Sequence, residues 1–258
     1  VDFEDRKELS PEVVAGIAVA ALIEGASLSN WRQRLATELL NRVMDRLRVS
    51  VASGDNLAQG ITAAFGGTVD GIPTTGAIEA SRRHTHSIVS TAIAQVATNA
   101  RIAAFQANAD IVKGFQQVSI LDSRTSNTCI AYNGQSWDAQ TLEPIFGSTL
   151  PFNGGPPRHF NCRSTLVPIL YGWQELGAFG AALPEKIKKR LDGKPPGDIS
   201  FDQWLRQKSS SFQNKLLGPT RARLWRNGDI TLTQLVDMRG RPLTLEQLEA
   251  KIKKRRRK

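Results

Sequence analysis

The residues best suited to chemistry in this chain are few, and they fall in two short stretches. His159 and Cys162 share "GGPPRHFNCRSTL" (154–166), in a sequence with only 3 histidines and 2 cysteines. The other cysteine, Cys129, lies in "LDSRTSNTCIAYNGQSW" (121–137), together with Asp122. Thiolate and imidazole suit zinc, and structural zinc sites are commonly built from two polar loops that each present ligands. Three strong ligands are visible, and Asp122 is the obvious fourth. The same residues allow a Cys-His nucleophile, with Cys129 or Cys162 attacking, His159 as its base and Asp122 orienting the imidazole. They also allow a plain structural turn opened by Gly-Gly-Pro-Pro. Two cysteines do not make a disulfide framework and point to a reducing compartment, which makes a Cys129–Cys162 disulfide the lesser option. "RRHTH" (82–86) resembles a metal motif, but His84 and His86 face opposite sides of a helix. It reads as a solvated basic patch.

These loops need elements to hold them. Ser10 and Pro11 suit a helix start, followed by Val13, Val14, Ile17, Ala18, Ala21 and Leu22 on one face. A second helical run carries Leu28, Trp31, Leu35, Leu39, Val43, Leu47 and Val51. A short helix over 56–65 and a turn-rich connection over 66–76 follow. The spacing of Ile78, Thr85, Ile88, Ala92, Val96, Ile102, Phe105, Ala109 and Val112 then predicts a long helix from about 77 to 116. Residues 1–116 thus read as a helical hairpin or bundle.

The texture changes at 117. "VSIL" and "QSW" are β-prone pieces around a polar loop, with Gly134 at a plausible hairpin turn, and "RSTLVPIL" (163–170) reads as a strand. The unit 117–191 is loop-rich, with a poor apolar core of its own that something should staple. Beyond the linker "DGKPPGD" (192–198), Ser200…Gln203, Thr231…Gln234 and Thr244…Gln247 fit capping boxes. Residues 192–258 are therefore short helices separated at Gly218-Pro219 and Asn227-Gly228. The expected fold class is α+β, mostly helical, ending in a basic tail.

Composition narrows the partners. The 258 residues are 40% hydrophobic, enough for a real core and too apolar for disorder. The net charge is +10, but residues 186–258 hold 20 Lys+Arg against 7 Asp+Glu, and the rest hold 14 against 17. The positive field culminates in Lys251, Lys253, Lys254, Arg255, Arg256, Arg257 and Lys258, a cluster suited to binding polyanions, nucleic acid above all, by counterion release. Tyr and Phe do not cluster with these cations as stacking readers would. No segment is expected to span a bilayer, and the acidic start does not suit a signal peptide.

Taken together, "LDSRTSNTCIAYNGQSW" and "PPRHFNCRSTLVP" resemble the head-morphogenesis domain of the phage Mu F-like minor head proteins of tailed bacteriophages. The matching positions are Asp122, Arg124, Thr125, Cys129, Gly134, Pro156, Pro157, His159, Asn161, Cys162 and Arg163. Many relatives carry a second cysteine near the first, where this chain has Ser126 and Thr128. The stretch 201–248 is similar to the C-terminal region of such proteins, and 10–116 to their helical N-terminal part. The resemblance implies a non-enzymatic virion protein. It would be assembled in the host cytoplasm and packaged inside the head, bound to the portal protein and in contact with packaged DNA, with capsid or scaffolding proteins as further partners. It would help DNA packaging, retention or delivery. On this reading Arg124, Thr125, Asn161 and Arg163 fix the loops, and a bidentate pair from Arg124 or Arg163 to Asp122 pins one loop to the other. The alternatives are a DNA-binding protein with a zinc-knuckle-like domain and a Cys-His hydrolase.

Overall fold

A computed structural model describes residues 9–10, 12–13, 16, 22–23, 26–53, 59, 61–62, 64, 66–69, 72–74, 76–189, 191–195 and 200–256. The chain forms two compact units, one of residues 12–97 with 159–161, the other of 1–11, 98–158 and 162–258.

In the first unit, residues 12–13 and 16 are helical, while Val14, Ile17, Ala18 and Ala21 of the expected first helix lie outside the described residues. Two-residue strands β1 (Leu22–Ile23) and β2 (Ala26–Ser27) pair ahead of helix α1 (Leu28–Ala52). Leu, Ala, Arg and Glu favour helix throughout α1, and Glu38 pairs with Arg42 one turn on. Leu35, Leu39 and Val43 are half-buried, as their spacing predicts, whereas Leu40 and Met44 are 62% and 43% exposed. The side chains of Trp31, Leu47 and Val51 lie outside the described set. Residues 59, 61–62 and 64 are helical, and the turn-rich stretch after them is a hairpin of β3 (Gly67–Val69) and β4 (Ile72–Thr74). Helix α2 (Ala77–Ala107) follows. Its Ile88 and Ala92 are buried against Leu35 and Phe160. His84 Nδ1 lies 3.1 Å from Glu38.

The helix ends at Ala107 rather than near 116. Asn108 closes it, its backbone N–H and its side-chain amide both donating to the Ala104 carbonyl at 3.2 and 2.8 Å. Residues Val112–Val118 form strand β5 instead. Ala109 and Val112 continue the helical spacing, but the stretch is claimed on both edges by other strands, and that pairing overrides the local pattern. Ala80–Ala107 also departs from the expectation that no segment could span a bilayer. By length and composition alone it is long and apolar enough to do so.

In the second unit, β5 is central in an antiparallel sheet of order β7-β6-β5-β8, with β6 at Ser136–Asp138, β7 at Pro144–Ile145 and β8 at Thr165–Leu170. Short helix α3 (Asn127–Tyr132) lies between β5 and β6, so Gly134 ends a long connection rather than a tight hairpin. Phe115 faces Trp137 across one edge of β5 and Pro168 across the other. Gly114 must be glycine, because a Cβ there would stand 2.5 Å from the Trp137 carbonyl oxygen.

Helices α4 (Gly177–Ala182) and α5 (Glu185–Lys188) lead to α6 (Phe201–Arg206), α7 (Ser210–Leu217), α8 (Pro219–Arg226), a 3-10 turn at Leu232–Leu235 and α9 (Leu245–Arg256). The three capping boxes form as their spacing requires. The backbone N–H groups of Ser200, Thr231 and Thr244 donate the reciprocal bond to the side-chain oxygens of Gln203, Gln234 and Gln247. Gly218, at φ +83°, and Pro219 separate α7 from α8. These helices correct the expectation of a core-poor, loop-rich unit. Phe115, Tyr132, Trp137 and Leu166 share one apolar cluster with Phe201, Leu205, Trp225, Leu235, Leu248 and Ile252. The chain is mixed α+β and about half helical, with a small antiparallel sheet.

Candidate metal centre

Each motif stretch has its own local framework. In the first, the Asp122 carboxylate accepts the backbone N–H of Arg124 at 2.9 Å and the Thr125 hydroxyl at 3.2 Å, while Thr125 also donates to the Ile120 carbonyl. This tight turn delivers the chain to Ser126, whose hydroxyl caps α3 by accepting the N–H of Cys129. Cys129 therefore sits in the first turn of a capped helix, with its side chain buried. In the second, a Cβ on Gly155 would stand 2.4 Å from Thr98 and 3.0 Å from Leu166, so only glycine lets this turn pack. Asn161 takes a left-handed φ of 57°, a conformation asparagine tolerates, and its N–H donates to Thr91 at 3.1 Å.

Two sets of bonds join the stretches. Arg163 Nη1 and Nη2 donate to Asp122 Oδ2 and Oδ1 at 2.7 and 2.8 Å, the bidentate pair expected from the sequence. Arg124 is not the partner, since its side chain is 79% exposed and its Nε lies 3.7 Å away. Ser119 donates its hydroxyl to the Cys129 carbonyl at 3.0 Å and lies 2.9 Å from the Ser164 hydroxyl.

The ligand atoms of Cys129, His159 and Cys162 all lie within 4.8 Å of one another, with the two sulfurs 3.4 Å apart. This group could hold a metal ion. Two thiols and an imidazole are a soft donor set, and it supplies three of the four positions of a tetrahedral zinc site. His159 Nδ1 lies 2.8 Å from the Phe160 carbonyl, to which it donates as the N–H tautomer. That bond leaves Nε2 as the lone-pair nitrogen, as is usual for a ligating histidine. Asp122 is not a member of the group, contrary to the expectation of a fourth ligand. Its two oxygens are taken by Arg163, Arg124 and Thr125.

Electrostatics separates the roles. The Arg163 guanidinium, with help from the Arg124 N–H, holds the Asp122 carboxyl far below the usual carboxylate range. Its folded pKa being lowered, the stabilisation is complete above the ordinary aspartate value of about 4 and is lost as pH falls below it. Asp122→Asn is therefore expected to lower the melting temperature at neutral pH, with the difference from the parent beginning to shrink only below about pH 4 and narrowing progressively as the pH falls further. Melting curves that run parallel across that range would show that the pair contributes nothing. Cys129 is shifted the other way, its thiol pushed far up by the adjacent Cys162 and by burial.

Sequence reasoning missed Arg158. Its guanidinium stacks 3.4 Å from the centre of the Tyr132 ring, its Nε donates to Gln117 Oε1 at 2.7 Å and its Nη2 to the Gly154 carbonyl at 3.1 Å. Burial lowers its pKa to about 10. The residue ties β5, α3 and the second stretch together. Its only sequence signal is its place beside His159.

Of the basic cluster, Lys251, Lys253 and Lys254 are exposed on α9, which Leu248 and Ile252 anchor in the core. Arg255 and Arg256 continue the helix, and Arg257 and Lys258 lie outside the described residues. No protein-family model, curated protein or solved structure matches this chain.

Proposed function

We propose that this chain is a minor head protein of a tailed bacteriophage, bound to the portal inside the head and in contact with packaged DNA. It acts in head assembly, DNA packaging or DNA delivery. The observation that carries this reading is the bidentate Arg163–Asp122 pair. It joins the two stretches on which the resemblance to the Mu F-like proteins rests. Both residues belong to the motif, and their pairing gives the motif a physical purpose without catalysis. The burial of Cys129 also favours a structural role, because a catalytic nucleophile must be reached by its substrate.

Zinc is the ion that Cys129, His159 and Cys162 suit best, and it would add a cross-link between the two stretches. The basic residues of α9 and beyond supply the DNA contact. Helix α1 offers a portal-docking face, with Leu40 and Met44 exposed one turn apart beside the half-buried Leu35, Leu39 and Val43.

Co-expression of the full chain with the portal protein of the same phage tests the reading. The expected result is a complex that survives purification and is weakened at least about tenfold by the double change Leu40→Glu and Met44→Glu, as burying two unpaired charges would require. A portal that never co-purifies with the unchanged chain would refute it.

A further inference from the structure

Cys129 and Cys162 are brought to a sulfur–sulfur distance of 3.4 Å, and neither is in a disulfide. They differ in access. Cys129 is 2% exposed, whereas Cys162 is only half-buried. The backbone around each is fixed by bonds that do not involve sulfur. Ser126 caps the turn that carries Cys129, Arg163 beside Cys162 is clamped on Asp122, and Ser119 bridges the Cys129 carbonyl and Ser164.

From this pairing we infer that Cys129 and Cys162 are an oxidation site, converted by a low-molecular-weight disulfide such as oxidised glutathione into an intramolecular disulfide. The sulfurs need to close by only about 1.4 Å to reach a bond of about 2.05 Å. The difference in access sets the order of events. The Cys162 sulfur attacks one sulfur of the reagent, the reagent S–S bond breaks, and one reduced thiol leaves with the Cys162 proton. The Cys129 sulfur then attacks Cys162 Sγ in the mixed disulfide and expels the second reduced thiol, which takes the Cys129 proton. Two protein thiols are oxidised and one reagent disulfide is reduced. The second step outruns attack by another molecule, because the buried sulfur is already in place and its effective concentration is high. The product holds two stretches 33 residues apart by a covalent bond where the hydrogen bonds already hold them. It also consumes two of the three donors of the metal group, so disulfide and metal exclude each other. That competition rests on the metal reading, whereas the disulfide does not.

The experiment uses the full chain, stripped of metal with a chelator and exposed to oxidised glutathione. Its products are read by intact mass and by non-reducing peptide mapping. The expected result is a monomer that has lost both thiols, retains no glutathione and yields one linked peptide pair containing Cys129 and Cys162. Cys129→Ser is expected to stop at a stable glutathione adduct on Cys162, and Cys162→Ser to leave the Cys129 thiol unmodified. Parent protein that keeps its adduct, forms intermolecular dimers or retains both thiols overturns the proposal, whether or not either variant folds. A parallel arm adds one equivalent of zinc before the oxidant, and oxidation is expected to slow by more than about tenfold. Equal rates in the two arms, with the linked peptides present, would support the disulfide and remove the metal reading alone.

Discussion

Trp137→Ala is expected to destabilise the protein by about 3–5 kcal/mol, seen as a large fall in the urea midpoint. The indole is fully buried at the middle of the sheet. Its ring lies 5.3 Å from Phe152 and 6.1 Å from both Phe115 and Tyr132, so its removal leaves a cavity lined by aromatic rings that cannot easily collapse into it. Its Nε1 also donates to the Leu150 carbonyl at 2.9 Å, and that buried oxygen would lose its partner. Trp137→Phe separates the two effects, because it keeps most of the ring and should cost only about 1–3 kcal/mol for the orphaned carbonyl and the smaller volume. A loss below about 1 kcal/mol for the alanine change would place the indole outside the core.

The second large effect concerns DNA. Changing Lys251, Lys253, Lys254, Arg255, Arg256, Arg257 and Lys258 to glutamine is expected to weaken binding to duplex DNA by about a thousandfold or more at low salt. It should also reduce the slope of log affinity against log salt by about 0.9 for each phosphate that the variant no longer neutralises. Lys251, Lys253 and Lys254 project from a helix whose Leu248 and Ile252 are buried, so these three cations are presented by a fixed scaffold. A shuffled order of the same seven residues should bind as well as the parent, since counterion release reads charge and not sequence. Titrations at several salt concentrations decide the matter. An unchanged slope in the glutamine variant would exclude this cluster as the DNA-binding surface.

Features set within a turn or two of chain were readable from the residues alone. The three capping boxes needed only a hydroxyl and a glutamine at the right spacing, and all three form. The pairing of Asp122 with Arg163 was also legible, because a short list of opposite charges in two motif stretches leaves few partners. What sequence could not supply was set by distant segments. Residues 109–112 keep a helical rhythm, yet Trp137 and Pro168 claim Phe115 for a sheet. Neither partner is visible from within the stretch. Asp122 as a metal ligand was a reasonable choice by residue type, and it failed because Arg163 occupies both of its oxygens. Arg158 escaped notice because its partners, Gln117 and Tyr132, are remote in sequence and ordinary in type.

The common core of 115–166 and 201–252 sets a condition on how this protein is made. During synthesis the strands and both cysteine-bearing stretches leave the ribosome well before Leu235, Leu248 and Ile252, which close over them. Until residue 252 has emerged, Phe115, Tyr132 and Trp137 lack part of their cover, and the nascent chain carries an apolar surface with two thiols beside it. Folding of this half is therefore completed only after residue 252 has emerged, and a premature stop anywhere between 201 and 248 should yield an aggregating product rather than a shorter working protein.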